Sequence, residues 1–176
     1  MIQKKLFLNE LFSGWKNSNP DAGMTLFLQE PSGEIDGERK YPCVIVCPGG
    51  GYRFTSDREA EPVALRYAAM GYSAAVLRYS TGGVKFPIQL CELSLAVAFL
   101  RRREEFHVEP QKIAVCGFSA GGHLAGSLCN LWNLPLLCDL LPLKEGENKP
   151  DAAILSYPVI SSGKYAHKGS FANLLG

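Results

Sequence analysis

One stretch limits what this chain can fold into more than any other. Ile113-Ala114-Val115-Cys116 runs directly into Gly117-Phe118-Ser119-Ala120-Gly121-Gly122-His123. The first four residues form a short, wholly apolar run with β-branched members, the pattern of a strand buried on both faces. The continuation reads G-x-S-x-G and then helix. A strand that turns into a helix this abruptly holds the serine at the apex in a strained backbone conformation, with its hydroxyl clear of the sheet. Side chains at the flanking positions would collide, which accounts for Gly117 and Gly121. The first N–H groups of the helix then lie beside any negative charge that develops at the serine. Ser119 is therefore the candidate nucleophile, and the amide of Ala120 a candidate donor to an oxyanion. A P-loop is excluded, because His123 follows Gly122 where lysine is required, and no G-x-G-x-x-G follows any of the strands.

The rest of the chain repeats the alternation of strand and helix. Residues 43–47, 73–77, 113–116 and 152–156 read as strands. Residues 58–70, with Gly71 as the residue after the cap, 87–106 and 121–130 read as helices. Residues 24–29 read as an early edge strand, Asn17 to Asp21 as a turn cluster, 31–37 as a turn with a hairpin as one reading, and 133–150 as loop with three prolines. Arg101, Arg102 and Arg103 read as a solvated helix end. The expectation is a single α/β domain over 1–176. It has a mostly parallel sheet with helices on both faces, and residues 1–40 supply edge strands and turns. In such sheets sites form at the carboxyl ends of the strands.

A second motif falls at that edge. Cys47-Pro48-Gly49-Gly50-Gly51-Tyr52 follows the strand at 43–47. Consecutive glycines let a backbone approach a substrate carbonyl and turn its N–H groups toward it, so Gly50 and Gly51 join Ala120 as oxyanion-hole candidates. Of the three histidines, His107 precedes its strand and His123 lies one turn into the helix after Ser119, where it reads as a scaffold hydrogen-bonder. His167 is the local candidate for a base. Six cysteines without a Cys-x-x-Cys pair read as buried free thiols in a reducing compartment. No metal-ligand cluster, cofactor motif or run of membrane-spanning length is visible. The formal net charge of +1 gives no field for nucleic acid. The expected address is cytoplasmic and the expected partner a small ester, with self-association as a homo-oligomer also expected.

With both motifs placed, the chain resembles the acetyl esterase/lipase group of α/β-hydrolases, close to its hormone-sensitive-lipase-like and feruloyl/acetyl-xylan esterase branch. The resemblance rests on Cys-Pro-Gly-Gly-Gly-Tyr at 47–52, Leu-Arg-Tyr at 77–79, Val-Cys-Gly-Phe-Ser-Ala-Gly-Gly-His-Leu-Ala at 115–125 and Ser-Tyr-Pro-Val-Ile at 156–160. Pro48 replaces the histidine of the HGGG form, and Arg78-Tyr79-Ser80-Thr81 departs from the usual Asn-Tyr-Arg-Leu. The resemblance implies an α/β-hydrolase fold and a serine carboxylic ester hydrolase acting on short acyl esters, acetyl-sugar esters among them. It also implies that the catalytic acid and histidine follow in the order Ser, acid, His, in a C-terminal part missing from this chain. Two other readings stay open: a prolyl-oligopeptidase-like serine peptidase, and a catalytically incomplete fragment.

Overall fold

A strand buried on both faces needs strands beside it and helices above and below, and the apolar runs find this arrangement. The computed structural model describes residues 1–12, 15 and 19–176. Among them, β1 (Ile2–Phe7), β2 (Gly23–Leu28), β3 (Tyr41–Cys47), β4 (Ser73–Arg78), β5 (Val108–Phe118) and β6 (Ala152–Ser156) form one sheet in the order β1-β2-β4-β3-β5-β6. β3 pairs in parallel with β4 and β5, and β5 with β6; β2 pairs antiparallel with β1 and β4. The helices are α1 (Leu8–Leu11), α2 (Glu61–Ala69), α3 (Ile88–Arg102), α4 (Ala120–Leu131), α5 (Pro135–Leu140) and α6 (Lys168–Leu175).

The period of two decides which face each side chain serves. Cys43, Ile45 and Cys47 of β3 join the larger core with residues of α3 and α4, while Val44 and Val46 pack with Ala64 and Ala68 of α2. In β4, Ala75 and Leu77 go to the first face and Ala74 and Val76 to the second. Helices thus cover both faces, as the sequence implies. The buried loop after β4 needs polar partners of its own. Gln89 donates its side-chain N–H to the carbonyls of Ser80 and Val84, and buried Glu92 accepts from the Ser80 N–H at 2.7 Å and from its hydroxyl.

Several expectations need correcting. The strand expected at the edge over 24–29 is β2, and it lies inside the sheet between β1 and β4. The true edge is β1, which Lys4 and Lys5 disguise; charge on an edge strand also keeps it from pairing further. Residues 31–37 form no hairpin between strands, only an isolated bridge from Ser32 to Asp36. Of the turn cluster, Asn17 and Ser18 lie outside the described residues, and Pro20 and Asp21 form a turn. The helix over 58–70 starts only at Glu61, after a 3₁₀ turn at Asp57–Glu59. Residues 133–150 are not all loop: Pro135 starts α5, a first-turn position that needs no N–H from it. Arg101 and Arg102 are not a solvated end. Arg101 donates to the carbonyls of Pro110, Glu147 and Lys149 and pairs with Asp151 at 3.2 Å, and Arg102 pairs with Glu147. They fasten the 142–151 segment to α3, and the Arg102 hydrogen bond holds the Glu147 carboxyl below its ordinary range.

Gly71 adopts φ 87° just past the cap of α2, as expected of a C′ residue. Cys43, Cys47, Cys91 and Cys116 are buried free thiols, and burial pushes Cys43 up to about 12; Cys129 is half-buried and Cys138 exposed, contrary to expectation. Among the described residues no helix is long and apolar enough to cross a membrane.

The topology sets a contrast between the centre of the sheet and its β6 edge. Ile45 in β3 is fully buried, whereas Ile154 in β6 is 43% exposed. Ile45→Ala is expected to cost about 2–5 kcal/mol and Ile154→Ala less than about 1 kcal/mol. Urea unfolding of both variants checks this, and equal losses would contradict the strand order.

Candidate active site

The carboxyl ends of β3, β5 and β6 meet at one edge of the sheet, and each contributes a loop. At the end of β5, Ser119 takes φ 52° and ψ −114°, a conformation that side chains rarely adopt. Three backbone hydrogen bonds hold it there. Its N–H donates to the Ser156 carbonyl at 3.0 Å, and its carbonyl accepts from His123 at 3.0 Å and Val159 at 3.1 Å. The flanking glycines are steric necessities: a β-carbon on Gly117 would lie 2.2 Å from the Gly121 carbonyl oxygen, and one on Gly121 would lie 2.0 Å from that of Cys47.

The glycine loop after β3 closes on the same point. A β-carbon on Gly49 would lie 3.0 Å from the Ser119 β-carbon, so the loop and the serine are in contact. Gly50 and Gly51 take φ 131° and 63°, and Tyr52 follows at 59°. Pro48, which stands in place of the HGGG histidine, lends its carbonyl to the buried Tyr79 hydroxyl at 2.6 Å. Among the described residues, no acceptor engages the amides of Gly50, Gly51 or Ala120. Gly50, Gly51 and Ser119 line a common open cavity of about 530 Å³; Ala120, fully buried at the start of α4, does not line it.

Residues that no local motif marks complete the cavity. Glu59 ties its two sides together: Oε2 accepts from the Gly49 N–H at 2.8 Å, and Oε1 accepts from the Tyr157 hydroxyl at 2.8 Å. That hydrogen bond to Glu59 raises the Tyr157 phenol above its ordinary value. Asn173 of α6 donates to the Gly51 carbonyl at 2.8 Å and so braces the glycine loop from a third direction. The only sequence signal for Glu59 is its place ten residues after Gly49, and α6 has none, because the pattern of strands stops at Pro158.

The three histidines separate cleanly. His107 takes a left-handed turn at the start of β5, the amino end of the sheet. His123 points away from the cavity, hydrogen-bonded through Nδ1 to the Tyr52 hydroxyl at 2.8 Å and edge-on to Tyr52 and Phe171. Burial lowers its pKa. His167 does line the cavity, but its Nδ1 is engaged by the Ser170 hydroxyl at 2.8 Å and N–H at 3.2 Å, and among the described residues no hydrogen bond joins it to Ser119. Asp151 lies at the start of β6, where its carboxylate accepts from the Ile113 N–H and pairs with Arg101.

Known proteins resemble this chain in sequence and fold over most of its length. The profile of the BD-FAE family matches residues 33–136. Endo-1,4-beta-xylanase B of Butyrivibrio fibrisolvens is 36% identical over 147 residues, which cover 78% of this chain and 22% of that protein. The crystal structure of an acetyl ester-xyloside bifunctional hydrolase from Caldicellulosiruptor lactoaceticus superposes with a TM-score of 0.78 at 31% identity, covering 98% of this chain and 63% of that one. A carboxylesterase from Lactobacillus plantarum gives a TM-score of 0.82 at 28% identity, covering 99% of this chain and 63% of that one. This chain therefore spans less than two thirds of the length of each of these relatives.

Two outcomes follow from the local geometry. Ser119→Gly removes the side chain from a disfavoured φ. Relief of about 1–3 kcal/mol of strain, less about 0.5–1 kcal/mol of added unfolded-state entropy, leaves an expected gain of about 1 kcal/mol, read as a higher urea midpoint. A lower midpoint would show that the hydroxyl stabilises the fold. His123 supplies a pH dependence. Its folded pKa lies below the unfolded value of about 6.5, so the unfolded chain binds the proton more readily, and stability falls as pH drops below that value. Thermal midpoints between pH 7.5 and 5 are expected to fall less steeply in His123→Gln than in the wild type, and parallel curves would count against the shift.

Proposed function

The chain belongs to the BD-FAE family of α/β-hydrolases, and from that premise we propose that it is a serine ester hydrolase whose nucleophile is Ser119 and whose substrates are short acyl esters, acetyl esters of sugars in particular. The observation that carries this reading is the apex conformation of Ser119, in contact with a glycine loop whose Gly50 and Gly51 amides have no partner among the described residues. In the proposed reaction the Ser119 hydroxyl attacks the ester carbonyl carbon and gives its proton to a general base, which passes it on to the leaving alcohol oxygen. The carbonyl oxygen becomes an oxyanion that receives hydrogen bonds from the Gly50, Gly51 and Ala120 amides. Collapse expels the alcohol and leaves an acyl-serine. Water then attacks, releases the carboxylic acid and restores the hydroxyl. The preference for acetyl groups on sugars draws on the acetyl ester-xyloside hydrolase among the relatives.

We assign the general base and its acid to the part of such an enzyme that this chain does not span, since His167 Nδ1 accepts from the Ser170 N–H, which leaves the neutral ring's proton on Nε2, and among the described residues no hydrogen bond joins it to Ser119. The six free thiols support the cytoplasm as its place of action.

The test is to treat residues 1–176 with a fluorophosphonate and to assay 4-nitrophenyl acetate beside a dipeptide anilide. Slow labelling and weak ester turnover are expected, because a serine without a base is a poor nucleophile. Ser119→Ala is expected to abolish labelling and to remove whatever ester turnover exceeds the background. Labelling or turnover that survives Ser119→Ala would sink the assignment, and preference for the anilide would redirect it to a peptidase.

A further inference from the structure

The Ser119 cavity holds an imbalance of charge that ester hydrolysis alone does not require. Arg53 and Arg58 both line it, and both are exposed. Among the described residues, neither side chain has an ion pair or a hydrogen bond; Arg53 rests over the Phe54 ring at 5.7 Å, which leaves its N–H edge free. Of the eight arginines, Arg78, Arg101, Arg102 and Arg103 have a carboxylate partner, whereas Arg39 and Arg66, like Arg53 and Arg58, have none among the described residues. What sets Arg53 and Arg58 apart is that both line the Ser119 cavity.

The acidic groups nearby are already committed. Glu59 is occupied by the Gly49 N–H and the Tyr157 hydroxyl. Asp57 and Glu61 both pair with Arg78, at 2.9 and 2.5 Å. The Asn173 amide is spent on the Gly51 carbonyl, and His167 Nδ1 on Ser170. Two guanidinium groups thus line the cavity against one carboxylate, Glu59, whose oxygens are already engaged, and the Gly50 and Gly51 amides have no partner among the described residues. A cleft of about 530 Å³ has room for a sugar-sized ligand.

We propose that the ester taken by this site carries a carboxylate, which Arg53 and Arg58 hold while the ester carbonyl lies at Ser119. The inference rests on the reading of Ser119 as nucleophile and names the substrate class of that site. A guanidinium presents a planar pair of N–H donors that matches a carboxylate, and two of them lining one cleft attract an anion from solution. The carboxylate has two chemical sources. It belongs either to the alcohol half, as in an ester on a uronic acid, or to the acyl half, as in a half-ester of a dicarboxylic acid.

The experiment is a binding titration on Ser119→Ala, followed by NMR of the arginine Nε–H groups. It compares glucuronate with glucose for the alcohol half, and monoethyl succinate with ethyl butyrate for the acyl half. The expected result is about tenfold tighter binding of the charged member in one pair, which identifies the half. The preference is expected to weaken as salt rises from 50 to 500 mM, about the range over which surface charges become screened, and to vanish in Arg53→Gln/Arg58→Gln. Both residues are exposed, so the double variant is expected to keep the wild-type melting temperature. Equal binding within both pairs, or a preference that survives the double variant, would overturn the proposal. Fluorophosphonate labelling of the wild type separates the two claims. Labelling at Ser119 without a charge preference removes the anion site alone, and a charge preference without labelling removes the nucleophile reading.

Discussion

How closely α4 can approach the end of β3 governs the whole carboxyl edge of this sheet. A β-carbon on Gly121 would stand 2.0 Å from the Cys47 carbonyl oxygen and 2.5 Å from that of Pro48, and the obstruction is backbone that cannot swing aside. Only glycine lets the helix start there. Once it does, β5 must end in one tight turn, Ser119 is forced to φ 52°, and the glycine loop comes into contact with it. The loop after β6 then locks the turn, through the Ser156 carbonyl and the Val159 N–H. Three strand ends are thus coordinated by one missing methyl group.

What the sequence reveals of this arrangement, and what it hides, follows from the range of each interaction. The strands at 43–47, 73–77 and 113–116 are legible because burial on both faces leaves an unbroken apolar run, and 152–156 is legible by its apolar composition although β6 is an exposed edge. The elbow and glycine loop are legible because backbone crowding is local and demands glycine at fixed positions. β1 is hidden because it lies at the sheet edge, where Ile2, Gln3, Lys4 and Lys5 are all exposed and only Leu6 and Phe7 are partly buried, so no apolar run or alternation marks it. α5 is hidden because Pro135 looks like a loop signal until it is placed at a helix start. Glu59 and Asn173 are hidden for a different reason: each acts across the fold, Asn173 on a carbonyl 122 residues away. No local pattern specifies such a partner.

The cavity shows how one carboxylate can serve two loops. Glu59 accepts from one N–H and one hydroxyl, so the two donors bind its negative charge into the wall. The same hydrogen bond engages the Gly49 amide, while the next two amides of the loop, those of Gly50 and Gly51, have no partner among the described residues. In the proposed anion site, Arg53 and Arg58 sit on the loop and turn that Glu59 and Arg78 hold in place.

The strained serine also bears on the life of the protein before it is folded. In a newly made polypeptide, Ser119 is an ordinary residue with the reactivity of any other serine. Its backbone conformation exists only while β5 ends against α4, and its hydrogen bonds to Ser156 and Val159 come from chain synthesised 37 and 40 residues later. A nascent chain on the ribosome cannot hold this conformation until those residues have emerged and docked. The moment at which the turn forms is therefore set by the order in which the strands are translated.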